Sequence, residues 1–568
     1  MATESSVVRG LPLSEEPGLG AATIPGYLDE VAARWGEREA LVGPSAAGEI
    51  RWSYRELRAQ AMAVARALVA CGLGRGGRVG ILMTNRAEFL TALFGTAQAG
   101  GVAVALSTFS TPGELAQLLA AAQLDFLLFE ERVLARDFLA DLLELEPAIA
   151  DAAPGRLVSA RFPWLRRLVA LEGVTAPGRR APLGAVETWE AFLAAGEAVP
   201  EAVVAARAAA VHPADPAGVF FSSGTTSRPK GILHAQRAFA IQWWRWPRIM
   251  DLEGAVRAWT GNGFFWSGNI SMIPGVAFTT GGAVILQPVF EPRAALELIA
   301  RERVAYANGR PHQWARMAAV PGFADYDLSS LKYITRGEIL WEHPKVSTRW
   351  TMPMAFGTTE TMSIMTSEGL LPREARRGTA GPPLPGNVLR IVDPETGEVL
   401  PRGARGEICV KGPTTMIRYL GKAPEECFDE EGFYRTGDGG FLDEQGCLHW
   451  EGRLTALIKT GGANVSPEEV DEWVARFPGV KRTQTVGVPH ETLGEMVVTC
   501  VVPVPGVEVD TAALTAWLRE RLAAFKVPRA VLLFAEEEFP LTGNEKVKVA
   551  EVRRLAAAKL EGERLSAR

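Results

Sequence analysis

Cysteine is scarce and scattered in this chain. Its five cysteines (Cys71, Cys409, Cys427, Cys447 and Cys500) are spread through 568 residues, with no C-x-x-C pair and no Cys/His metal spacing. This argues against a disulfide framework and fits a reducing cytoplasm. A dominant charge sign is missing too. With 60 basic and 66 acidic residues the net charge is −6, so nothing suggests a nucleic-acid partner. Met1-Ala-Thr-Glu-Ser-Ser lacks the basic-then-apolar pattern of a signal peptide. The most apolar long stretch, 264–290, is broken by Asn269, Pro274, Gly281 and Gly282, which predicts buried helix and strand instead of a membrane span. No internal repeat of fixed period is visible.

What is present is the composition of an ordinary soluble globular protein. The length suggests about four units of ~150 residues, and 47% hydrophobic content allows several cores. Leu57, Ala61, Val64 and Leu68 recur at helical spacing, followed by the strand-like run 79–83, a helical stretch 87–99 and the strand-like run 102–106. Alternating strands and helices predict an α/β fold with a parallel, helix-covered sheet. Residues 145–215, rich in Ala, Pro and Gly, read as a long excursion or linker. After Arg453 the grain changes. Ser466-Pro467-Glu468-Glu469 has the form of a capped helix start. Strand-like runs at 483–488 and 496–504 follow, then a helix over about 511–522 capped by Asp510. This predicts a compact α+β unit at the C-terminus.

The most informative stretch is Ser222-Ser223-Gly224-Thr225-Thr226-Ser227-Arg228-Pro229-Lys230-Gly231, directly after the apolar run Gly218-Val219-Phe220-Phe221. Gly224 lets the backbone bend around a ligand, free N–H groups form an anion nest, the hydroxyls add donors and Lys230 adds a point charge. It is not a Walker A loop, since Pro229 precedes the lysine and Gly231 follows it. The pattern resembles the signature of the adenylate-forming superfamily: acyl-CoA synthetases, luciferases and peptide-synthetase adenylation domains.

Further motifs carry the same resemblance in the same order. Phe356-Gly357-Thr358-Thr359-Glu360 matches the aromatic-Gly-x-Thr-Glu motif. The resemblance implies adenine stacking by Phe356, phosphate contact by Thr359 and a Mg²⁺ site at Glu360, a hard oxygen ligand. Gly337 and Glu338 stand in a divergent adenine-side loop. In Tyr434-Arg435-Thr436-Gly437-Asp438 the resemblance implies Asp438 as the ribose carboxylate, and in Gly452-Arg453 it implies Arg453 as the arginine that contacts ribose and phosphate. Two residues on, Thr455 occupies the hinge position where Asp or Lys is usual. Lys459, Gly461 and Gly462 match the region that approaches the active site for the thioester step. In Pro540–Val547, Lys546 matches the adenylation lysine, with Glu545 in place of the usual glycine and Lys548 nearby.

The resemblance implies a large multi-subdomain N-terminal domain (1–452) with helix-covered sheets and a small mobile α+β C-terminal domain (453–568). It implies ATP, Mg²⁺ and coenzyme A. A carboxylate would attack the α-phosphorus of ATP, and a thiol would then displace AMP. The catalytic set is Lys546, Thr359, Glu360 and Lys230.

The acyl region is more individual. Trp243, Trp244, Trp246, Phe264, Phe265 and Trp266 crowd one part of the sequence, and Phe265, Trp266 and Asn269 are the pocket candidates. Aromatic walls suit a large apolar acid. No Asp stands in 263–269 to hold an amino-acid ammonium, and no carrier segment follows the C-terminal unit. The expectation is an acyl-CoA synthetase. An acyl-AMP ligase serving a separate carrier protein, or a non-catalytic nucleotide- or acyl-binding relative, remain alternatives, and a homodimer is left open.

Overall fold

The computed structural model describes residues 4–172, 182–222, 230–454, 458–460, 463–465, 467–491, 493–522, 526–541 and 547–566. The helix Tyr54–Ala70 starts in a capping box between Ser53 and Glu56. It buries Leu57, Ala61, Val64 and Leu68, the four residues at helical spacing. It packs on Ala87–Gln98, a helix with every residue buried, its polar Glu88, Thr91, Thr96 and Gln98 included.

These helices cover an eight-stranded sheet. Its order is Val186–Thr188, Arg167–Leu171, Phe126–Glu130, Arg78–Leu82, Val102–Ala105, Pro216–Ser222, Lys230–Ala235 and Arg418–Tyr419. The first six strands run parallel and the last two pairings are antiparallel. The expected 145–215 linker is therefore corrected in part. Arg167–Leu171 and Val186–Thr188 are sheet strands, because the apolar Leu168-Val169-Ala170-Leu171 run is buried against Phe126–Glu130.

A second sheet joins Tyr306–Asn308, Ala258–Thr260, Val284–Ile285, Glu39–Ser45 and Gly48–Ser53. A third, antiparallel, joins Val7–Arg9, Val388–Val392, Gly406–Lys411, Tyr434–Leu442 and Leu448–Arg453. The apolar window 264–290 forms the buried helix Ser267–Thr280 and the short strand Val284–Ile285. Among the described residues, no helix is long and apolar enough to cross a membrane.

The small C-terminal domain is an α+β unit. Gly494–Pro503 pairs with Val480–His490, Ile458–Thr460 and Ala530–Leu533, and helices Pro467–Val474, Thr511–Arg519 and Val549–Ser566 accompany the sheet. Asp510 caps the second helix by accepting from the N–H groups of Ala512 and Ala513. Ser466, the expected cap of the first, lies outside the described residues.

Asp471 ties the helix Pro467–Val474 to the neighbouring strand. Its carboxylate accepts from the Thr483 and Thr485 hydroxyls and from the Thr485 N–H, at 2.8–3.0 Å. Burial pushes its pKa up from the usual 3.8 to about 6. Between those values the folded state holds the extra proton, so stability falls as pH rises through that window. The difference corresponds to about 3 kcal/mol at most. Asp471→Asn should flatten the pH dependence of the urea midpoint between about pH 4 and pH 6. An unchanged slope would exclude Asp471 as its source.

Candidate active site

The site gathers at the antiparallel edge of the eight-stranded sheet. Ser222 ends one strand directly across from Lys230, which begins the next. Ser223, Gly224, Thr225 and Thr226, between them, lie outside the described residues. The neighbouring edge strand places Tyr419 opposite Ile232, and the Lys230 ammonium sits 5.6 Å from the centre of the Tyr419 ring, within cation–π range.

The Phe356–Glu360 segment is folded tightly on itself. Phe356 pairs with Thr366, and its ring joins a core cluster with Ile232, Met365 and Tyr434. At 6% exposure it leaves little more than an edge for a base. Gly357 faces the carbonyl of Ser363 so closely that a Cβ would lie 1.7 Å from its oxygen. Thr359–Thr361 forms one 3₁₀ turn. Met362 and Ser363 then take φ of 50° and 90°, uncommon values for residues with side chains.

Two buried side chains hold this strained turn, and sequence reasoning missed both. Gln242 donates its amide to the carbonyls of Met362 and Ile364, each at 2.8 Å. His234 bonds through Nε2 to the Thr359 carbonyl at 2.8 Å. A carbonyl only accepts, so the His234 proton sits on Nε2. Burial pushes the imidazole pKa down to about 4, which keeps the ring neutral. Strand alternation was the available signal for His234, since Lys230, Ile232 and His234 share one face.

Glu360 is 9% exposed, and its carbonyl accepts from the Met416 N–H at 2.7 Å. Its carboxylate accepts from the Tyr419 hydroxyl at 2.9 Å. That hydroxyl lies 3.0 Å from the hydroxyl of Tyr434. Among the described residues, the Tyr419 hydroxyl is the one hydrogen-bond partner of the Glu360 carboxylate. Thr359 keeps its side chain half-exposed beside it.

Four residues beyond Tyr434 on the same strand, Asp438 stands opposite Arg453. The Arg453 Nε lies 3.2 Å from Asp438 Oδ1, and the Trp450 indole N–H donates to the same oxygen at 3.3 Å. Arg453 also donates to the Thr436 carbonyl at 3.0 Å. Burial pushes the Asp438 carboxyl up from its ordinary pKa, and the Arg453 charge opposes that rise. Trp450, 52% exposed, was also missed. Its place three residues before Arg453, on the same ladder as Asp438, was the available clue.

On the adenine side, Gly337 has φ of 88°, and Glu338 donates its N–H to the Thr335 carbonyl at 3.1 Å. Partial burial raises the Glu338 carboxyl pKa.

The aromatic crowd expected around the acyl group divides. Trp243, Trp244 and Trp246 are at most 4% exposed. Their indole N–H groups are spent on the Ile270 carbonyl, the Ala21 carbonyl and the Ser271 hydroxyl. They are core packing, distinct from the pocket candidates Phe265 and Trp266. Asn269 is a brace: it donates to the Gly263 carbonyl at 3.2 Å and accepts from Asn308 at 3.1 Å. Asn85 grips the same turn from another subdomain through the Asn262 carbonyl and the Phe264 N–H, both at 2.8 Å. What remains is a corner in which Phe265 packs edge-on against Phe109 at 5.4 Å and tilted against Trp266 at 5.5 Å. Phe109 is 58% exposed, and Trp266 is half-buried at the start of the helix Ser267–Thr280.

Lys459 lies on the strand Ile458–Thr460, across from Asn464. Thr455, Gly461, Gly462 and Lys546 lie outside the described residues.

Comparison with known proteins identifies the family. The family model described as AMP-binding enzyme matches residues 28–420, and that described as AMP-binding enzyme C-terminal domain matches residues 469–546. The 3-[(3aS,4S,7aS)-7a-methyl-1,5-dioxo-octahydro-1H-inden-4-yl]propanoyl:CoA ligase of Mycobacterium tuberculosis is 32% identical, over 90% of this chain and 94% of its own. The indoleacetate–CoA ligase of Aromatoleum aromaticum is also 32% identical, over 89% and 94%. The ATP-bound crystal structure of MatB from Rhodopseudomonas palustris superposes with a TM-score of 0.72 at 26% identity, covering 94% of this chain and 99% of that one. The chain belongs to the AMP-binding enzyme family, within the adenylate-forming acyl-CoA synthetases.

Proposed function

We propose that this acyl-CoA synthetase acts on an apolar acid bearing a bulky ring, with MgATP and coenzyme A as its other substrates. The observation that carries the choice of acid is the Phe109–Phe265–Trp266 corner. Aromatic faces and edges recognise a flat or fused ring through area burial and offset packing. The names of both relatives above specify fused-ring acids, which supports the same reading.

The residue roles follow from charge. A substrate carboxylate of pKa ~4 is already ionised at neutral pH, so the first step needs no general base. One carboxylate oxygen attacks the α-phosphorus, and the bond to the bridging oxygen of pyrophosphate breaks. Anion meets anion, so positive charge and donors must be in place beforehand. Lys230 and the Ser222–Thr226 loop take the leaving phosphates, Thr359 donates its hydroxyl to a phosphate, and Lys546 is the adenylation lysine. Glu360 has one carboxylate oxygen that no described residue engages. A single carboxylate beside substrate phosphates suits Mg²⁺, so Glu360 would hold the ion that enters with ATP and offsets the phosphate charge.

The nucleoside is held by Asp438 and Arg453 at the ribose. Phe356, Gly357, Thr358, Gly337 and Glu338 form its base side. In the second step the thiol sulfur of coenzyme A attacks the acyl carbon and AMP departs with the bonding electrons. Lys459, Gly461 and Gly462 serve this step after the C-terminal unit, beginning near residue 453, turns about Thr455. A cytoplasmic setting suits the free cysteines.

The test is ATP–pyrophosphate exchange across a panel of straight-chain, monocyclic and fused-ring acids, followed by thioester detection with free coenzyme A. Fused-ring acids should give the highest kcat/KM. A preference for straight chains would overturn the choice of acid, and exchange without thioester would point to a carrier protein as acceptor. Trp266→Ala should raise KM for the preferred ring acid by about tenfold, from lost ring contact, with KM for ATP unchanged. A proportionate rise for straight-chain acids would remove Trp266 from ring recognition.

A further inference from the structure

The phosphate-loop lysine and the acidic residue assigned to magnesium come from distant parts of the chain, yet one side chain touches both. Tyr419 sits on the edge strand beside Lys230–Ala235. Its hydroxyl reaches Glu360 at 2.9 Å and Tyr434 at 3.0 Å, and its ring lies 5.6 Å from the Lys230 ammonium. An ionised carboxylate can only accept a hydrogen bond. The single Tyr419 proton therefore goes to Glu360 Oε1, and Tyr434 donates its own proton to the Tyr419 oxygen. The result is a directed chain, Tyr434 to Tyr419 to Glu360, in which each bond polarises the next. A phenol ordinarily titrates at ~10, so both protons stay in place at neutral pH.

We propose that Tyr419 is a positioning residue that couples the two halves of the phosphate site. Its hydroxyl fixes the rotation of the Glu360 carboxylate, so that the second oxygen faces the magnesium brought by ATP. Its ring holds the Lys230 ammonium at the start of the strand Lys230–Ala235. Tyr434 locks the hydroxyl in the donating orientation. This rests on Glu360 being the carboxylate that meets the metal.

The two faces of Tyr419 can be separated in the full-length protein. Binding of ATP is measured by calorimetry with excess Mg²⁺ and again in EDTA, and the Mg²⁺ concentration for half-maximal pyrophosphate exchange is measured alongside. Tyr419→Phe keeps the ring and loses the hydroxyl. It should weaken MgATP binding and raise the half-activating Mg²⁺ concentration, each by about tenfold, the loss of one hydrogen bond to a charged group. Binding in EDTA should stay within about twofold of wild type. Tyr434→Phe should move the same two quantities in the same direction by about threefold. Tyr419→Leu removes the ring as well and should also weaken binding in EDTA by about fivefold.

Glu360→Gln distinguishes the two levels of the argument. If it leaves Mg²⁺ dependence unchanged, the assignment of Glu360 fails and the role of Tyr419 fails with it. If Glu360→Gln shifts Mg²⁺ dependence and Tyr419→Phe does not, the proposal for Tyr419 is wrong and Glu360 stands. An equal loss in Mg²⁺ and in EDTA for Tyr419→Phe would mark a purely structural tyrosine.

Discussion

Lys546→Ala is expected to lower ATP–pyrophosphate exchange by about a thousandfold while leaving ATP affinity within about threefold. The size follows from the chemistry of the first step. The attacking carboxylate and the α-phosphate are both anionic, and negative charge builds on the phosphoryl oxygens as the new bond forms. A lysine aimed at that charge is worth more in the transition state than in the ground state, so its loss falls on kcat. Thioester formation from chemically prepared acyl-adenylate should be nearly spared, because that step forms no bond to phosphorus. Stopped-flow and exchange measurements on the two half-reactions would check this. Equal loss in both would assign Lys546 to a general structural role, and Lys548→Ala would then be the variant to compare.

Gly357→Ala is the second large effect, and it has a steric cause. The added methyl would stand 1.7 Å from the Ser363 carbonyl oxygen, far inside van der Waals contact. That carbonyl belongs to a turn already committed to left-handed φ at Met362 and Ser363 and pinned by Gln242 and His234. The turn cannot yield without breaking those bonds and displacing Glu360. A cost of about 3 kcal/mol or more is expected, with exchange reduced at least about hundredfold. Gly337→Ala is the informative contrast. Its φ is 88°, but a Cβ there meets nothing within 4 Å. The cost is backbone strain alone, about 1–2 kcal/mol. Circular-dichroism melts with exchange assays on both variants would test the pair. Near-wild-type exchange in Gly357→Ala would show that the turn is not required for catalysis.

The sequence was legible where function is written locally. The hydroxyl-rich loop, Phe356–Glu360, Asp438 and Arg453 each announce a chemistry within a few residues. Helical spacing at Leu57–Leu68 and the cap at Asp510 likewise depend on near neighbours. The parts not legible depend on which strand lies beside which. Tyr419 meets Lys230 and Glu360 only because 418–419 forms the edge next to 230–235, and no spacing rule reveals an antiparallel edge from 185 residues away. His234 and Gln242 act on a turn more than a hundred residues distant.

Crowding in sequence does not say which aromatics share a face. The indoles of Trp243, Trp244 and Trp246 turn into the core, while Trp266 stays half-buried beside Phe265. Helix geometry separates residues that composition groups together. The strands at 167–171 and 186–188 were hidden by Ala, Pro and Gly around them, and sheet pairing outweighed that local composition.

The central claim is that the acid is activated as a mixed anhydride with AMP. It is tested most directly with a fused-ring carboxylic acid carrying ¹⁸O in both carboxylate oxygens, incubated with MgATP, coenzyme A and the enzyme. Mass spectrometry of the products should find one ¹⁸O in AMP, unlabelled pyrophosphate and a coenzyme A thioester that retains one ¹⁸O. AMP without label, or ADP and phosphate in place of AMP and pyrophosphate, would contradict the account.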